Sequence, residues 1–372
     1  AVGSFTGESL GGTQQVMLEE LERVRSVRLD WMICNHLARD DRLRVAFQEC
    51  DVKVSGLPIT ALPTPGQLIP NLQWGEGVAK YLGVDSPLCV GRVGQSIAGK
   101  THSDAAKTPW VLDRYGDNLA SVALGDAYRT RHDSIKRAIA RVCKWAGVSC
   151  VVEVYNQFAG LLSQEALAAL EEARKQQGLV PDFLLQGQVQ GIAELKTISS
   201  VPSHYPRTTQ GVNVDVRPVD VRAGKIQGEY DKKLGDADPS GRALARLHGH
   251  GPVRGLVVGG YGEFSEDLHR LMNDLMEAKI PGTPQTTGAA RGTALPWARR
   301  QIAVADFKAR AELIVNGLSW CGPGGKEAYA RRHQGLAVDR EAMAQMYAAD
   351  WAYLHRRHGH DWILHAVGGG AG

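Results

Sequence analysis

A long amphipathic helix that is followed, after one glycine, by a β-branched segment is the feature that most constrains the fold. Between residues 125 and 148 the apolar side chains recur at helical spacing, at Ile135, Ala138, Ile139, Val142, Cys143 and Ala146. These positions share one face of a helix and predict a buried stripe. The segment VSCVVEVY, which starts after Gly147, predicts a strand.

The order of the elements that follow predicts the fold class. A helix is expected from Ser163 to about Gln177, and two short strands, from Pro181 and from Gly191, read as a hairpin. An apolar strand from Val253 and a helix over residues 264–280 come next. This alternation predicts an α/β fold with a mixed central sheet flanked by helices.

The remaining segments predict three regions. Residues 1–108 read as a helical N-terminal region with a Pro/Gly-rich connection, and residues 109–280 as the α/β core. Residues 281–372 read as a Gly/Thr/Pro-rich linker, from Pro281 to Pro296, followed by a helical C-terminal region.

Charge and cysteine usage exclude several classes of protein. The 43 Lys and Arg residues against 40 Asp and Glu residues leave a net charge of +3, which excludes a whole-molecule polycation. No apolar run reaches the roughly 18 residues of a membrane span, and the N-terminus lacks a signal-peptide pattern. We therefore expect no membrane association and an intracellular location, nuclear or organellar. The six cysteines include no CxxC pair, so neither a zinc ribbon nor a disulfide framework is predicted.

The hairpin carries the charged residues with the clearest chemical meaning. If its turn is centred on Gln188, Asp182 lies directly opposite Glu194, with Cβ atoms about 5 Å apart. Two carboxylates at this distance repel each other unless a positive charge lies between them. Mg²⁺ or Mn²⁺ would supply that charge, with the Leu195 carbonyl as a further ligand. Lys196, on the same face as Glu194, could orient or deprotonate an attacking water or neutralise a phosphorane-like transition state. The alternative is an edge hairpin whose charged residues form a solvated ion cluster.

The spacing of these residues resembles a known nuclease motif. Pro181-Asp182, an eleven-residue gap and Glu194-Leu195-Lys196 resemble the PD-(D/E)XK superfamily of restriction-endonuclease-like folds. A narrower resemblance is to an uncharacterised family of algal, dinoflagellate and some metazoan genomes, whose members often lie in retroelement-like reading frames beside reverse transcriptase. It is carried by RHDSIK, EVYNQF, QGLVPDF, AELKTIS, GEYDKK and VRGLVVGGYGE. The resemblance implies metal-dependent cleavage of DNA phosphodiesters by Asp182, Glu194 and Lys196.

The same resemblance implies further site residues, each with a simpler alternative. Glu153 would be a third metal ligand, or else a solvated strand acid. His132 and Asp133 would face the metal or a phosphate, although an acid near a helix N-terminus is favoured by the helix dipole in any case. Tyr230 and Lys233 would contact DNA, or else form an ordinary exposed helix face.

A basic helix face next to this motif is the expected nucleic-acid contact. Lys136 and Arg137 belong to it, together with Arg129, Arg131, Arg141 and Lys144. Such a row can neutralise phosphates, or it can be the solvated side of an amphipathic helix. The expected partner is DNA, with RNA or a hybrid as alternatives, and the retroelement resemblance adds a reverse transcriptase.

Two other functions compete with the nuclease. One is a nucleic-acid-binding module that keeps the fold without turnover, and the other is a structural or assembly subunit that acts through its terminal helices. Four C-terminal histidines are a further group of metal-ligand residue types, but they have no thiolate partner: His355, His358, His360 and His365.

Overall fold

The protein is a mixed α/β structure in which helices flank a four-stranded sheet. The computed structural model describes residues 24, 27–29, 31–38, 41–60, 68–97, 111–121, 127–154, 157–162, 180–206, 216–282, 284–318 and 321–322. The helices are α1 (Arg42–Glu49), α2 (Leu57–Thr60), α3 (Asn71–Leu82), α4 (Asp117–Ser121), α5 (Ala127–Ala146), α6 (Pro218–Ala237), α7 (Arg242–Gly249), α8 (Glu266–Lys279) and α9 (Pro284–Gly317). The strands are β1 (Ser149–Val152), β2 (Phe183–Gln186), β3 (Gly191–Thr197) and β4 (Arg254–Val258).

The sheet has the order β1-β2-β3-β4. The first three strands form an antiparallel meander, and β4 pairs in parallel with β3. Such a parallel step needs a crossover connection, which α6 and α7 provide. The mixed sheet with flanking helices that the sequence predicts is therefore confirmed.

The register of the hairpin is the predicted one. Phe183 pairs with Ala193 and Leu185 with Gly191, which centres the turn on Gln188. Continuing this register by one residue beyond the start of β2 brings Asp182 opposite Glu194. The hairpin thus sets the two carboxylates on neighbouring positions of adjacent strands.

The two faces of the sheet are covered by different helices. One face, which includes Phe183, Leu195 and Leu256, packs against α5, α8 and α9. The opposite face, which includes Ile192 and Val257, packs against α6 and α7. The alternation of side chains along β3 assigns odd and even residues to the two layers, as predicted.

Gly255 in β4 allows α6 to approach the sheet closely. A Cβ atom at this position would lie 2.6 Å from the Cα and the carbonyl oxygen of Ala223 in α6. Only glycine permits this contact without a shift of the helix. The approach fixes the height of α6 above the strands, and with it the position of Tyr230.

The linker predicted between Pro281 and Pro296 is wrong. Residues 284–317 form the single helix α9, in which Pro284 occupies the first position, where a missing N–H costs nothing. Buried Ala294, Ala298 and Ile302 belong to the same core cluster as the strands. This packing outweighs the helix-breaking composition that the sequence suggested.

Some predictions lie outside the described residues. They are the helix from Ser163 to Gln177, the C-terminal region beyond residue 322 and the four C-terminal histidines. No helix in the part of the chain that the structure describes combines the length and apolarity that crossing a membrane would require.

Candidate active site

The charged residues singled out in the hairpin meet at one end of the sheet, between α5 and α6. Asp182 immediately precedes β2, while Glu194 and Lys196 lie in β3. His132 and Lys136 reach this point from α5, and Tyr230 reaches it from α6. The two helices flank the sheet on opposite faces, so the cluster receives side chains from all three layers.

Asp182 is held by a lysine, a histidine and a backbone amide. Lys136 Nζ lies 2.8 Å from Oδ1, and His132 Nε2 lies 3.2 Å from Oδ2. The Leu195 N–H donates a hydrogen bond to Oδ2 at 2.9 Å. Burial disfavours the ionised form, but the hydrogen bonds and charges of His132 and Lys136 outweigh burial and lower the pKa of Asp182 to about 2. The carboxylate is therefore ionised at neutral pH.

The Leu195 carbonyl has no backbone donor on the β2 side. In the extended register the residue opposite Leu195 is Pro181, which has no N–H to offer. His132 Nε2 lies 3.1 Å from this carbonyl oxygen. The proline of the Pro-Asp pair thus leaves a main-chain oxygen facing the same space as the Asp182 carboxylate.

Glu194 is held between a hydroxyl and an amine. The Tyr230 hydroxyl donates a hydrogen bond of 2.7 Å to Oε2, and Lys196 Nζ lies 2.5 Å from Oε1. Burial, together with the Glu194 charge, raises the pKa of Tyr230 and keeps its hydroxyl protonated as a donor. Lys196 itself keeps 35% of its side-chain surface exposed. It is the cation of the cluster that solvent reaches most readily.

Glu153 lies one residue beyond β1, not on the strand as predicted. Its φ of 54° is in the left-handed region, where non-glycine residues are uncommon. This turn of the backbone brings its carboxylate within 3.0 Å of Lys136 Nζ. Lys136 therefore bridges Glu153 and Asp182. These two carboxylates raise the pKa of Lys136 even though burial lowers it.

The structure places two expected nucleic-acid contacts differently. Lys136 exposes only 7% of its side chain and pairs with carboxylates. Tyr230 is buried and bonds to Glu194. Both side chains point from their helices into the layer between helix and sheet, so neither forms part of an open surface. The sequence predicted Lys136 as part of the basic helix face and Tyr230 through the resemblance. It did not reveal their carboxylate partners, because those partners come from distant segments.

Arg131 was predicted on the exposed basic face of α5, but it is buried. It pairs with buried Asp306 of α9 at 2.7 Å and donates hydrogen bonds to the carbonyls of Ile198 and Gly259, which follow β3 and β4. These bonds fix the start of α5 against the ends of both strands. Arg131 thereby positions its neighbour His132.

The remaining predicted residues lie at the rim of the cluster. Asp133 is half-exposed, and its carboxylate lies 3.5 Å from His132 Nδ1. Arg137 is exposed and donates to the Ser134 hydroxyl. Lys233 is exposed on α6. None of the three is in contact with Asp182 or Glu194 among the bonds found in the described residues.

The donor atoms suit a hard divalent cation. Asp182, Glu194 and the Leu195 carbonyl offer oxygen, which Mg²⁺ and Mn²⁺ prefer. No group of three or more His, Cys, Asp or Glu side chains within the described ranges is arranged to hold a metal ion. A cation would therefore need the main-chain oxygen, water or substrate to complete its coordination. The residues fit such a site in composition, with Lys136 and His132 presently neutralising Asp182.

Comparisons with known proteins identify no relative. No protein-family model, no curated protein and no solved structure matches the chain.

Proposed function

We propose that the protein is a metal-dependent nuclease with a PD-(D/E)XK-type core, which hydrolyses DNA phosphodiester bonds. The observation that carries the proposal is the convergence of Asp182, Glu194 and Lys196 with a main-chain carbonyl that has no partner in its own sheet. The superfamily resemblance implies a core of a helix, a three-stranded meander, a helix and a further strand, and α5, β1–β3, α6 and β4 follow one another in this order. A solvated ion cluster would not require two of its acids to be buried.

The metal would be held by Asp182, Glu194 and the Leu195 carbonyl, with His132 close enough to join them. His132 Nε2 lies 3.2 Å from Asp182 Oδ2 and 3.1 Å from the Leu195 oxygen. These three groups therefore face one space, and together with Glu194 they would hold the cation there. Glu153 is available through exchange of its Lys136 contact.

Each side chain of the cluster would have a separate role in the reaction. A bound divalent cation would polarise the scissile phosphate as a Lewis acid. Lys196 is held by Glu194, and its exposed ammonium orients the attacking water and stabilises negative charge on the phosphoryl oxygens. Tyr230 keeps Glu194 in place. Water adds to phosphorus as the bond to the 3′-oxygen breaks, which leaves a 5′-phosphate and a 3′-hydroxyl.

An exposed basic strip on α5 would guide the DNA towards this site. Arg137, Arg141 and Lys144 are exposed at i, i+4 and i+7, so they lie on one side of the helix that carries His132. Cations arranged in this way bind phosphates through counterion release, which makes binding sensitive to salt. The retroelement resemblance adds a reverse transcriptase as a partner of the same system.

A second candidate is a nucleic-acid-binding module without turnover. It is favoured by the contacts that Asp182 already makes, since Lys136 and His132 satisfy the carboxylate without any metal. This alternative predicts DNA binding that depends on salt but not on divalent ions.

Cleavage of supercoiled plasmid in Mn²⁺ tests the proposal. Asp182→Ala and Lys196→Ala should each reduce the rate at least about 100-fold, because each removes a group that stabilises transition-state charge. The matched controls are Lys232→Ala and Glu277→Ala, which alter exposed residues away from the cluster and should leave the rate unchanged. Undiminished cleavage by Asp182→Ala and Lys196→Ala refutes the nuclease assignment. DNA binding with no product in any divalent ion supports the non-catalytic module.

A further inference from the structure

A cleft of about 550 Å³ opens between the end of β3 and the first turns of α6. Its walls are mostly apolar and include Ile198, Val216 and Val221. The volume is within the range of about 300–1,000 Å³ that is typical of small-molecule sites. None of the residues assigned to the nuclease chemistry lines it.

The cleft adjoins the candidate active site. Its lining begins at Thr197, directly after Lys196. On the α6 side, Arg222 lines the cleft and bonds to Glu229 at 2.6 Å. The Arg222 hydrogen bond, with the charges of Arg222, Lys233 and Lys196, outweighs burial and lowers the pKa of Glu229. Arg222 and Thr197 therefore bring the wall of the cleft next to the part of β3 that carries Lys196.

The polar groups around the cleft indicate what it can hold. Ser199 and His204 share a hydrogen bond of 2.8 Å at its wall, and Ser203 adds a hydroxyl. Lys225 is exposed at its edge. Apolar walls with a few hydrogen-bonding groups suit a flat heterocycle, while the cations beside them suit an attached phosphate. A purely apolar peptide segment would offer no counter-charge to Lys225 at the edge of the cleft.

We propose that the cleft receives an unpaired nucleobase next to the phosphate at Lys196. The substrate would then be a single strand, or a duplex with an unpaired nucleotide at the cleavage position, since a base inside a continuous duplex is stacked and cannot enter. The inference rests on the proposed nuclease function, because that function places the phosphate at Lys196.

Binding in EDTA, where no cleavage occurs, tests the cleft directly. Fluorescence anisotropy would compare a labelled 12-nucleotide single strand with the matched duplex. We expect the single strand to bind at least tenfold more tightly, and deoxycytidine monophosphate to compete better than deoxyribose 5-phosphate, which has no base. Val221→Trp fills the cleft and should weaken single-strand binding at least tenfold with little effect on the duplex. The control Val84→Trp alters an equally exposed valine outside the cleft and should change neither.

Three results would overturn the assignment. The first is unchanged single-strand binding by Val221→Trp in a protein whose circular dichroism and melting match the wild type. The second is equal competition by deoxyribose 5-phosphate, which would show that phosphate alone is recognised. An apolar peptide that binds the cleft while mononucleotides do not compete would likewise reject the nucleobase.

The test of the base-binding cleft can fail or succeed independently of the test of the nuclease function. Asp182→Ala should lose cleavage in Mn²⁺ but keep wild-type single-strand binding in EDTA. If the wild type never cleaves DNA while Val221→Trp still weakens binding, the nuclease function fails and the base-binding cleft stands. If the wild type cleaves DNA and Val221→Trp binds and cleaves normally, the cleft assignment alone fails.

Discussion

At the scale of single residues, the site depends on a proline. Pro181 cannot donate to the Leu195 carbonyl, so the Pro-Asp pair both starts β2 and leaves that oxygen facing Asp182. The sequence allowed us to predict that Asp182 lies opposite Glu194. Both residues are the same number of positions away from the turn centre, and in a hairpin such residues face each other. It could not show that Lys136 bridges Asp182 and Glu153, because this contact depends on how α5 packs on the sheet.

A buried acid outside the cluster controls the pH dependence of stability. Burial raises the pKa of Glu263 to about 7, despite hydrogen bonds from the Tyr205 hydroxyl and the Tyr261 N–H. The unfolded value is about 4.3, so the folded state binds the proton more tightly. The contribution of Glu263 to stability is therefore fully present below about pH 4 and is lost as the pH rises through 7, by about 3 to 4 kcal/mol. The raised pKa of His132 acts in the same direction.

Urea denaturation between pH 5 and 9 measures this effect. We expect Glu263→Gln to flatten the decline of the unfolding free energy with pH, because the variant has no ionised state to bury. Glu266→Gln, an exposed change at the start of α8, should follow the wild-type profile. A profile for Glu263→Gln as steep as that of the wild type would contradict the role assigned to this carboxyl.

At the scale of elements, the position of α6 decides whether Glu194 is held. Gly255 permits the contact between β4 and α6. The Tyr230 side chain extends from α6 and donates a hydrogen bond to Glu194. The strand and the helix were both predicted from apolar patterns. The short distance between the strand and the helix was not predicted. A glycine in a strand indicates a close approach only when the residue that packs against it from the adjoining layer is known.

Alanine substitutions at two glycines distinguish the effect of this close contact on stability from the effect of helix propensity. Gly255→Ala places a Cβ 2.6 Å from Ala223 and should destabilise the protein by about 1–3 kcal/mol through overpacking. Gly228→Ala, on an open face of α6, should stabilise it by about 0.5–1 kcal/mol. Urea denaturation gives both values. Equal effects of the two substitutions would rule out a tight contact at β4.

At the scale of the whole molecule, α9 belongs to the core that supports the site. Its residue Asp306 binds Arg131, and its apolar residues pack in one cluster with β2 and β3. The sequence suggested a linker here because Gly, Thr and Pro are concentrated at its start. Gly288 and Gly292 have open space around them and the apolar residues between the polar ones face inward, so tertiary packing overrides composition.

A core substitution in α9 tests whether this helix folds cooperatively with the sheet. Ile302 is fully buried, and Ile302→Ala should reduce the unfolding free energy by about 2–4 kcal/mol through loss of contacts and formation of a cavity. If α9 folds with the sheet, near-UV circular dichroism and far-UV circular dichroism should report one transition, shifted by the same amount. A second transition that moves alone would show that α9 folds separately.

Titration calorimetry with Mn²⁺ tests most directly whether Asp182, Glu194 and the Leu195 carbonyl form a metal site. We expect one Mn²⁺ per chain for the wild type, and a loss of affinity of at least tenfold in Asp182→Asn. The control Asp274→Asn, in an ion pair with Arg254, should bind Mn²⁺ as the wild type does. Absence of any heat of binding in the wild type, or equal affinity in Asp182→Asn, would show that these groups do not form a metal site.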